Sequence, residues 1–183
     1  WCAWICPAGA LGEMCLRVND KPVKLWLKYV KWGVWLIWLG MIAYLAISAG
    51  GYTRVDTLLL TESGISMDAP MKYIIYSIVI GIFLLLSLGL GRRGGCHSIC
   101  WMAPFMILGR KIRNLFTWPA FRLQAQSEQC IQCKKCTQNC PMSLEVHRMV
   151  EQGAMENSEC ILCATCADVC PRDVISLVFR KGR

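Results

Sequence analysis

Two long apolar runs dominate the pattern of hydrophobic and polar positions along the chain. The first runs from Trp32 to Ala49, and the second, from Tyr73 to Leu90, contains no charged residue. With the apolar residues just ahead of it, the first run is long enough for a helix across the hydrocarbon core of a bilayer, which takes about 20 residues; the second is close to that length. The alternative is a pair of buried helices, but these would need a much larger soluble shell to cover them. The pattern therefore predicts two membrane-spanning helices that form an antiparallel hairpin.

Charge lies on one side of this hairpin. Residues 1–31 carry five Lys/Arg and two acids, residues 92–183 carry thirteen and seven, and the part between the two runs is close to neutral. By the positive-inside rule, both flanks lie on the cytoplasmic side and residues 50–69 form an external loop. The same placement explains the net charge of +8 without nucleic-acid binding. Lys28 and Lys31, on the first turns of the first helix, are expected to reach the lipid headgroups.

Four segments follow from these features. They are a cytoplasmic juxtamembrane segment (1–25), the two-helix hairpin (26–91), a juxtamembrane and amphipathic segment (92–127), and a soluble module (128–183). Within the third, residues 101–123 mix apolar and basic positions, which is typical of a helix at the membrane surface or of one packed on the soluble module.

The soluble module repeats one cysteine spacing. It reads CxxCxxCxxxCP from Cys130 to Pro141 and again from Cys160 to Pro171, which is the spacing of bacterial ferredoxins with two [4Fe–4S] clusters. Zinc has no use for a third CxxC step, and disulfides are not expected on a reducing cytoplasmic face. The predicted fold is therefore a membrane α-helical hairpin joined to an α+β ferredoxin-like domain.

The fourth cysteine of each repeat is too far along the chain to complete the cube held by the first three. It is expected to point into the neighbouring site, so that each cluster takes three ligands from one repeat and one from the other. The predicted ligands are Cys130, Cys133, Cys136 and Cys170 for cluster 1, and Cys160, Cys163, Cys166 and Cys140 for cluster 2.

A second set of cysteines flanks the hairpin. Cys2 and Cys6 precede the first span, Cys96 and Cys100 follow the second, and the hairpin brings both CxxxC pairs to the same membrane face. Three interpretations stay open: a four-thiolate metal or cluster site, two dithiols that open and close, or small buried packing residues. Cys15, His97 and His147 are expected to be a packing residue, a non-ligand and a surface residue, respectively.

The order of these features resembles the NapH/NosR-type polytopic membrane ferredoxins. The resemblance is carried by WCAWICPAGA, the two spans, GRRGGCHSICWMAP and the doubled ferredoxin motif. The second pair departs from the family's usual CxxxCP, because Cys100 is followed by Trp101. Further membrane helices usually precede this region in the family, so native sequence is expected ahead of Trp1. The resemblance implies electron transfer between the quinone pool and a partner redox protein.

The predicted function is electron relay at the cytoplasmic membrane of a prokaryote. Two [4Fe–4S] clusters would pass electrons between a membrane donor, quinol by the resemblance, and a partner redox protein or reductase complex. The alternative is a regulatory or assembly protein that uses the clusters and the CxxxC thiols for sensing or metal delivery. An independent enzyme is not expected, since no nucleophile–base pair, phosphate loop or nucleotide fingerprint is found.

Overall fold

The two apolar runs form two long helices. The structure is a computed structural model that describes residues 1–24, 26–51 and 69–182. Helix α2 spans Leu27–Ser48 and helix α3 spans Pro70–Leu90, so at 1.5 Å per residue they are about 33 and 32 Å long. Pro70 occupies the first turn of α3, where its missing N–H costs nothing. Most of the predicted external loop lies outside the described residues.

The side chains of α2 and α3 are largely uncovered. Only 6% and 11% of the most apolar stretch of each helix is buried. Leu36, Ile37, Tyr44, Ile47 and Leu85 are all more than 60% exposed. Helices of a soluble core would be buried, so this alternative does not describe the chain. Both helices are candidate membrane spans by length and composition, and a large apolar surface of this kind requires a lipid or protein cover.

Short helices gather at one end of the two long ones. Helix α1 spans Pro7–Cys15, α4 spans Gly94–Ser98 and α5 spans Met102–Leu115. Helix α4 contacts α1, α2 and α3, and α5 also contacts α2. Trp35 of α2 meets Phe105 of α5 edge to face, with ring centroids 5.2 Å apart. The four cysteines that flank the hairpin are carried on this cluster of short helices.

Two glycines permit close backbone approach in this cluster. A Cβ on Gly9 would lie 2.5 Å from the carbonyl oxygen of Cys2, and one on Gly91 would lie 2.2 Å from that of Lys21. Gly91 also has φ +97°, which glycine adopts readily. The Arg92 N–H then donates to the Lys21 carbonyl at 3.0 Å. The N-terminal segment is thereby fastened to the end of α3.

Two ion pairs with buried cations join these parts of the chain, and one of them corrects a prediction. Lys31 is 1% exposed and pairs with Glu159 of the soluble module, so it does not reach the lipid headgroups. Burial of an unpaired ammonium costs free energy, and the carboxylate of Glu159 offsets part of that cost. Arg93, also 1% exposed, pairs with Glu13 in the same way.

The soluble module is built on one pair of antiparallel strands. Strand β1 spans Ala120–Ala125 and pairs with β2, Ile175–Arg180, so that Ala120 lies opposite Arg180. Between them lie a 3₁₀ turn at Ser127–Gln129 and helices α6 (Lys135–Gln138), α7 (Val146–Glu151) and α8 (Thr165–Asp168). The buried core comprises Leu123, Cys140, Met142, Val146, Val150, Met155, Cys166, Val174 and Ile175.

Strand β1 begins before the predicted start of the soluble module at residue 128. Its six residues pair with β2 along their whole length, so the sheet draws on the segment predicted to be amphipathic. The amphipathic pattern itself belongs to α5, whose face toward the protein buries Pro104 and Ile107. The Ser143 hydroxyl accepts the Val23 N–H at 3.1 Å, which joins the N-terminal segment to the soluble module.

Candidate iron–sulfur sites

Two cavities in the soluble module collect the eight ferredoxin cysteines in two groups of four. Each contains about 400 Å³ of empty space, counted to its open mouth. The cysteines of the first cavity are Cys130, Cys133, Cys136 and Cys170, and those of the second are Cys140, Cys160, Cys163 and Cys166. Each cavity is therefore lined by three cysteines of one repeat and by the fourth cysteine of the other.

The loops around the two cavities repeat the same backbone conformation at an offset of thirty residues. Gln132 and Leu162 have φ of +53° and +55°, and Lys134 and Ala164 have +59° and +64°. A third pair, three residues after the last cysteine of each motif, is Ser143 and Asp173. Non-glycine residues adopt left-handed φ at a cost of about 1–2 kcal/mol each. A backbone in which left-handed residues alternate with others directs successive N–H groups into a concavity that binds anions, including iron–sulfur centres.

Several of the sulfurs accept hydrogen bonds. Cys140 accepts the backbone N–H groups of Leu144 and Met142, and Cys136 accepts the hydroxyl and the backbone N–H of Thr137. The Thr165 hydroxyl donates to the Cys163 sulfur at 3.3 Å. Burial nevertheless raises the pKa of both thiols. Burial, and then the neighbouring Cys160 and Cys163, raises the pKa of Cys166 to about 12. These sulfurs thus need a positively charged partner in place of the proton to become ligands.

The two cavities differ in their exposure to solvent. In the first, Gln132, Cys133 and Lys134 are exposed, whereas Leu162, Cys163 and Ala164 are half-buried at the second. Part of the cover comes from the N-terminal segment, since Trp4 donates its indole N–H to the Leu162 carbonyl at 3.3 Å. Solvent access is one of the levers on the potential of an iron–sulfur centre, so the two sites are electrostatically unequal.

The four cysteines that flank the hairpin line a third cavity. It contains about 1210 Å³ of empty space including its open part, and Cys2, Cys6, Cys96 and Cys100 all face it. Cys6 caps α1, Cys96 lies within α4, and Cys100 lies two residues before α5. The structure thus brings together two pairs that are ninety residues apart in the sequence.

Cys96 and Cys100 are the more deeply buried thiols of this third group. Burial raises the pKa of Cys96 to about 12, with the Arg93 charge acting in the opposite direction. Burial also raises the pKa of Cys100, and the N–H groups of Ala103 and Met102 oppose that rise. Each of the two thiols is close enough to Cys2 and Cys6 for their charges to interact.

Three other residues singled out by the sequence are placed as follows. Cys15 is buried in packing, as expected. His97 is 6% exposed, its Nε2 has no hydrogen-bond partner within the described part of the chain, and burial lowers its pKa to about 4. His147 is half-buried rather than on the surface; its Nδ1 lies 3.0 Å from the Thr137 hydroxyl, and it lines the first cavity.

The contacts that hold the soluble module against the helices were not anticipated from the sequence. Arg110 of α5 donates to the Cys160 carbonyl and pairs with Glu156. Arg92 donates to the Cys140 carbonyl at 3.4 Å and also forms a two-bond ion pair, at 2.6 and 2.8 Å, with Asp20 of the N-terminal segment. The basic residues had been explained by the positive-inside rule alone. Acidic residues far away in the sequence could have indicated ion pairs with these basic residues, but a single sequence does not show which residues pair.

The donor set fits iron–sulfur clusters better than single ions. Among the residues that the structure describes, no three His, Cys, Asp or Glu side chains converge closely enough to hold one metal ion. Four thiolates on a zinc ion at 2.3 Å would lie about 3.8 Å apart. Here, instead, four cysteines line each cavity, and its loop has the left-handed residues typical of an anion-binding concavity, which suits a larger anionic group.

Comparisons with known proteins agree with this donor set. Residues 129–175 match the family model of the 4Fe–4S dicluster domain. Over 167 residues the chain is 26% identical to the putative electron transport protein YccM of Escherichia coli, covering 85% of the chain and 45% of that protein. Over 168 residues it is 25% identical to the uncharacterized protein MJ0749 of Methanocaldococcus jannaschii, covering 83% and 55%.

The chain spans about half the length of these curated relatives. No solved structure matches it significantly. The dicluster match and the similarity to YccM support the coarse prediction, an iron–sulfur electron-transfer protein with a ferredoxin-like 4Fe–4S domain.

Proposed function

We propose that the chain is a membrane-bound electron relay that holds two [4Fe–4S] clusters on the cytoplasmic side of a prokaryotic membrane. The observation that carries the proposal is the pair of equal cavities, each surrounded by four cysteines. When bound, a [4Fe–4S] cluster takes up and releases one electron at a time. The exposed apolar helices α2 and α3 support the membrane anchor.

In this proposal the cysteines hold the clusters crosswise. Cys170 joins the three cysteines of the first repeat, and Cys140 joins the three of the second, as the cavity linings support. Cys140 and Cys166 are buried in the common core, so each repeat anchors a ligand of the other. This exchange keeps the two centres close, which electron transfer between them requires.

The two cavities have different surroundings, which indicate where the proposed relay would exchange electrons. The second cavity faces the helices, where Trp4 and Arg110 cover it. The first opens to solvent, and Lys134, Lys135 and Arg172 stand at its mouth. We propose that electrons are exchanged with the membrane donor on the side of the second cavity and with a soluble redox partner at the first. Quinol is the donor that the resemblance to NapH/NosR-type proteins implies.

Double substitutions test the crosswise ligand sets. If the assignment is correct, Cys170→Ala with Cys130→Ala damages one cluster only, whereas Cys170→Ala with Cys160→Ala damages both. Iron content and EPR spin counts on anaerobically purified protein are the readouts. The first variant is expected to keep about four iron atoms more per chain than the second.

The opposite order of iron contents would show that each repeat holds its own cluster and would overturn the crosswise sets. Wild-type protein without iron, or with zinc at the eight cysteines, would overturn the relay itself. Cys15→Ala, which removes a buried cysteine that lines neither cavity, is the matched control and is expected to keep the full iron content.

A further inference from the structure

The third cavity has the composition of a ligand site. Its cysteines come from two separate chain segments, and each pair has the same CxxxC spacing. The fastening of the N-terminal segment to α3 brings them together. Arg93 links the two cysteine pairs directly. Its guanidinium donates to the Cys2 carbonyl at 3.0 Å, and Arg93 lies three positions before Cys96 in the sequence. Packing alone would not require that four thiols face one space.

We propose that Cys2, Cys6, Cys96 and Cys100 hold a third iron–sulfur cluster, through four thiolates that line the cavity at the junction of the helices and the soluble module. This inference rests on the proposed electron-transfer function and extends it by a centre on the membrane side of the second cavity.

The charge around the cavity suits an anionic group. Four cationic side chains line it, Lys31, Arg93, Arg110 and Arg113, against the single carboxylate of Glu159 among its described lining residues. Four thiolates around a cluster core of charge +2 carry a net charge of about −2. Buried charges are normally paired, and the Nε of the 1%-exposed Arg93 has no hydrogen-bond partner in the described chain. All four cations also pair with carboxylates, Lys31 with Glu159, Arg93 with Glu13, and Arg110 and Arg113 with Glu156. An anionic centre would add an acceptor for the unpartnered Nε of Arg93.

One cysteine of this cavity has surroundings like those of a cysteine in a ferredoxin cavity. Cys100 accepts two backbone N–H groups at the start of α5, just as Cys140 accepts two beyond the first repeat. In neither place do three of the described side chains converge on the point that a single ion would occupy. The same donor geometry therefore favours a cluster over zinc here as well.

The position of the cavity is suited to electron transfer. Cys160, Ile161 and Leu162 form part of its wall, and Cys160 and Ile161 also line the second ferredoxin cavity. One short stretch of backbone thus separates the two spaces. A centre in the third cavity would stand between the membrane helices and the buried ferredoxin cluster, which shortens the distance that an electron from the membrane must cross.

Iron quantification combined with EPR and Mössbauer spectroscopy of the anaerobically purified chain tests the inference. The wild type is expected to hold about two to four iron atoms beyond the roughly eight of two [4Fe–4S] clusters. Cys96→Ala and Cys2→Ala should each lose this excess and one spectral component, while the two ferredoxin signals stay. Cys15→Ala is the matched control and should lose nothing.

The outcomes separate this inference from the proposed function. About eight iron atoms, unchanged by Cys96→Ala, would overturn the third cluster and leave the relay standing. Zinc in place of the excess iron, or a Cys2–Cys6 or Cys96–Cys100 disulfide found by mass spectrometry in fully loaded protein, would also overturn it. Loss of all iron in the wild type would overturn both. Cys6→Ser and Cys100→Ser serve as second variants if an alanine variant fails to fold.

Discussion

Ala164 and Lys134 occupy equivalent places in the two ferredoxin loops, and both have left-handed backbone conformations. Neither residue is glycine, so each loop is held in this conformation against a local preference. An anion-binding concavity formed by such residues would be lost if the backbone relaxed to negative φ. In the proposed relay, these positions would therefore affect cluster retention without contributing a ligand.

We predict that Ala164→Val loosens the second cluster, because a β-branched side chain is strained at φ +64°. Ala164→Gly should stay within about 1 kcal/mol of the wild type, since relief of strain and the greater freedom of the unfolded chain nearly cancel. The measurement is the rate of cluster loss to an iron chelator. Ala154→Val, at an exposed residue outside the helices, strands and turns, is the control; equal rates for both valine variants would refute the explanation.

At the scale of elements, ion pairs between the helices and the soluble module determine how these parts are joined. Lys31 of α2 is almost wholly buried against Glu159, which leads into the second ferredoxin loop. His97 and Arg93 interact electrostatically in the same region. Removal of the carboxylate would leave an uncompensated ammonium, which is strongly destabilising in a buried position.

Glu159→Gln is expected to destabilise the contact between α2 and the soluble module by about 3 kcal/mol, and addition of Lys31→Met should recover most of the loss. Thermal unfolding in detergent, followed by helix circular dichroism, is the measurement. The exposed pair of Glu145 and Arg148 provides the control, since Glu145→Gln should cost less than about 1 kcal/mol. If the double variant is no more stable than Glu159→Gln, the buried pair is not the cause.

A second junction is centred on Glu156, where Arg110, Arg113 and Arg122 meet one carboxylate. Burial opposes its charge, but the hydrogen bonds from Arg110 and Asn114 and the arginine charges outweigh burial and lower its pKa below the ordinary 4.5. The stabilisation is thus complete above that value and is lost as the pH falls through the lowered pKa.

Glu156→Gln should therefore reduce stability at neutral pH by about 1–2 kcal/mol, a discounted value because the carboxylate is partly exposed. It should also flatten the decline in stability below pH 4.5. Melting curves between pH 7 and pH 4 measure both effects. Glu128→Gln removes an exposed carboxylate that has no ion pair within the described residues and should leave both unchanged. A variant with an unaltered acid slope would show that Glu156 is not the responsible group.

The sequence alone predicted the features that depend on neighbouring residues, and it missed those that depend on contacts between residues far apart in the chain. Both long helices and the grouping of the eight cysteines follow from local periodicity and spacing. Strand β1 was missed because its partner residues lie fifty to sixty positions later, from the pair Ala125–Ile175 to the pair Ala120–Arg180. Lys31 was misplaced because a basic residue at the end of an apolar run has two favourable environments, headgroups or a buried carboxylate, and only the fold decides between them.

At the scale of the whole molecule, the first cavity has a basic rim, which marks the site where the proposed relay would meet its soluble partner. Lys134, Lys135 and Arg172 are exposed beside Cys133. Such a rim attracts an acidic redox partner over a distance of about a Debye length and raises its association rate at low salt.

Charge reversal at the rim of the first cavity tests whether the rim attracts the redox partner. Lys134→Glu with Arg172→Glu should slow electron transfer to an acidic ferredoxin or flavodoxin by about tenfold at low ionic strength, and the difference should shrink as salt is added. Stopped-flow oxidation of the reduced protein gives the rate. Lys111→Glu with Lys24→Glu makes the same change in net charge away from the first cavity. If this control slows transfer equally, the effect comes from overall charge and not from the rim.

The clamps between the soluble module and the helices carry a consequence for how the chain meets its partners. Lys31 binds Glu159, Arg92 reaches toward the Cys140 carbonyl at 3.4 Å, and Arg110 binds the Cys160 carbonyl. A head on a loose tether would swing between donor and acceptor, and its turnover would depend on tether length. A module held at these points keeps one orientation, so in the proposed relay the soluble partner would have to diffuse to it, and turnover should saturate with the concentration of that partner.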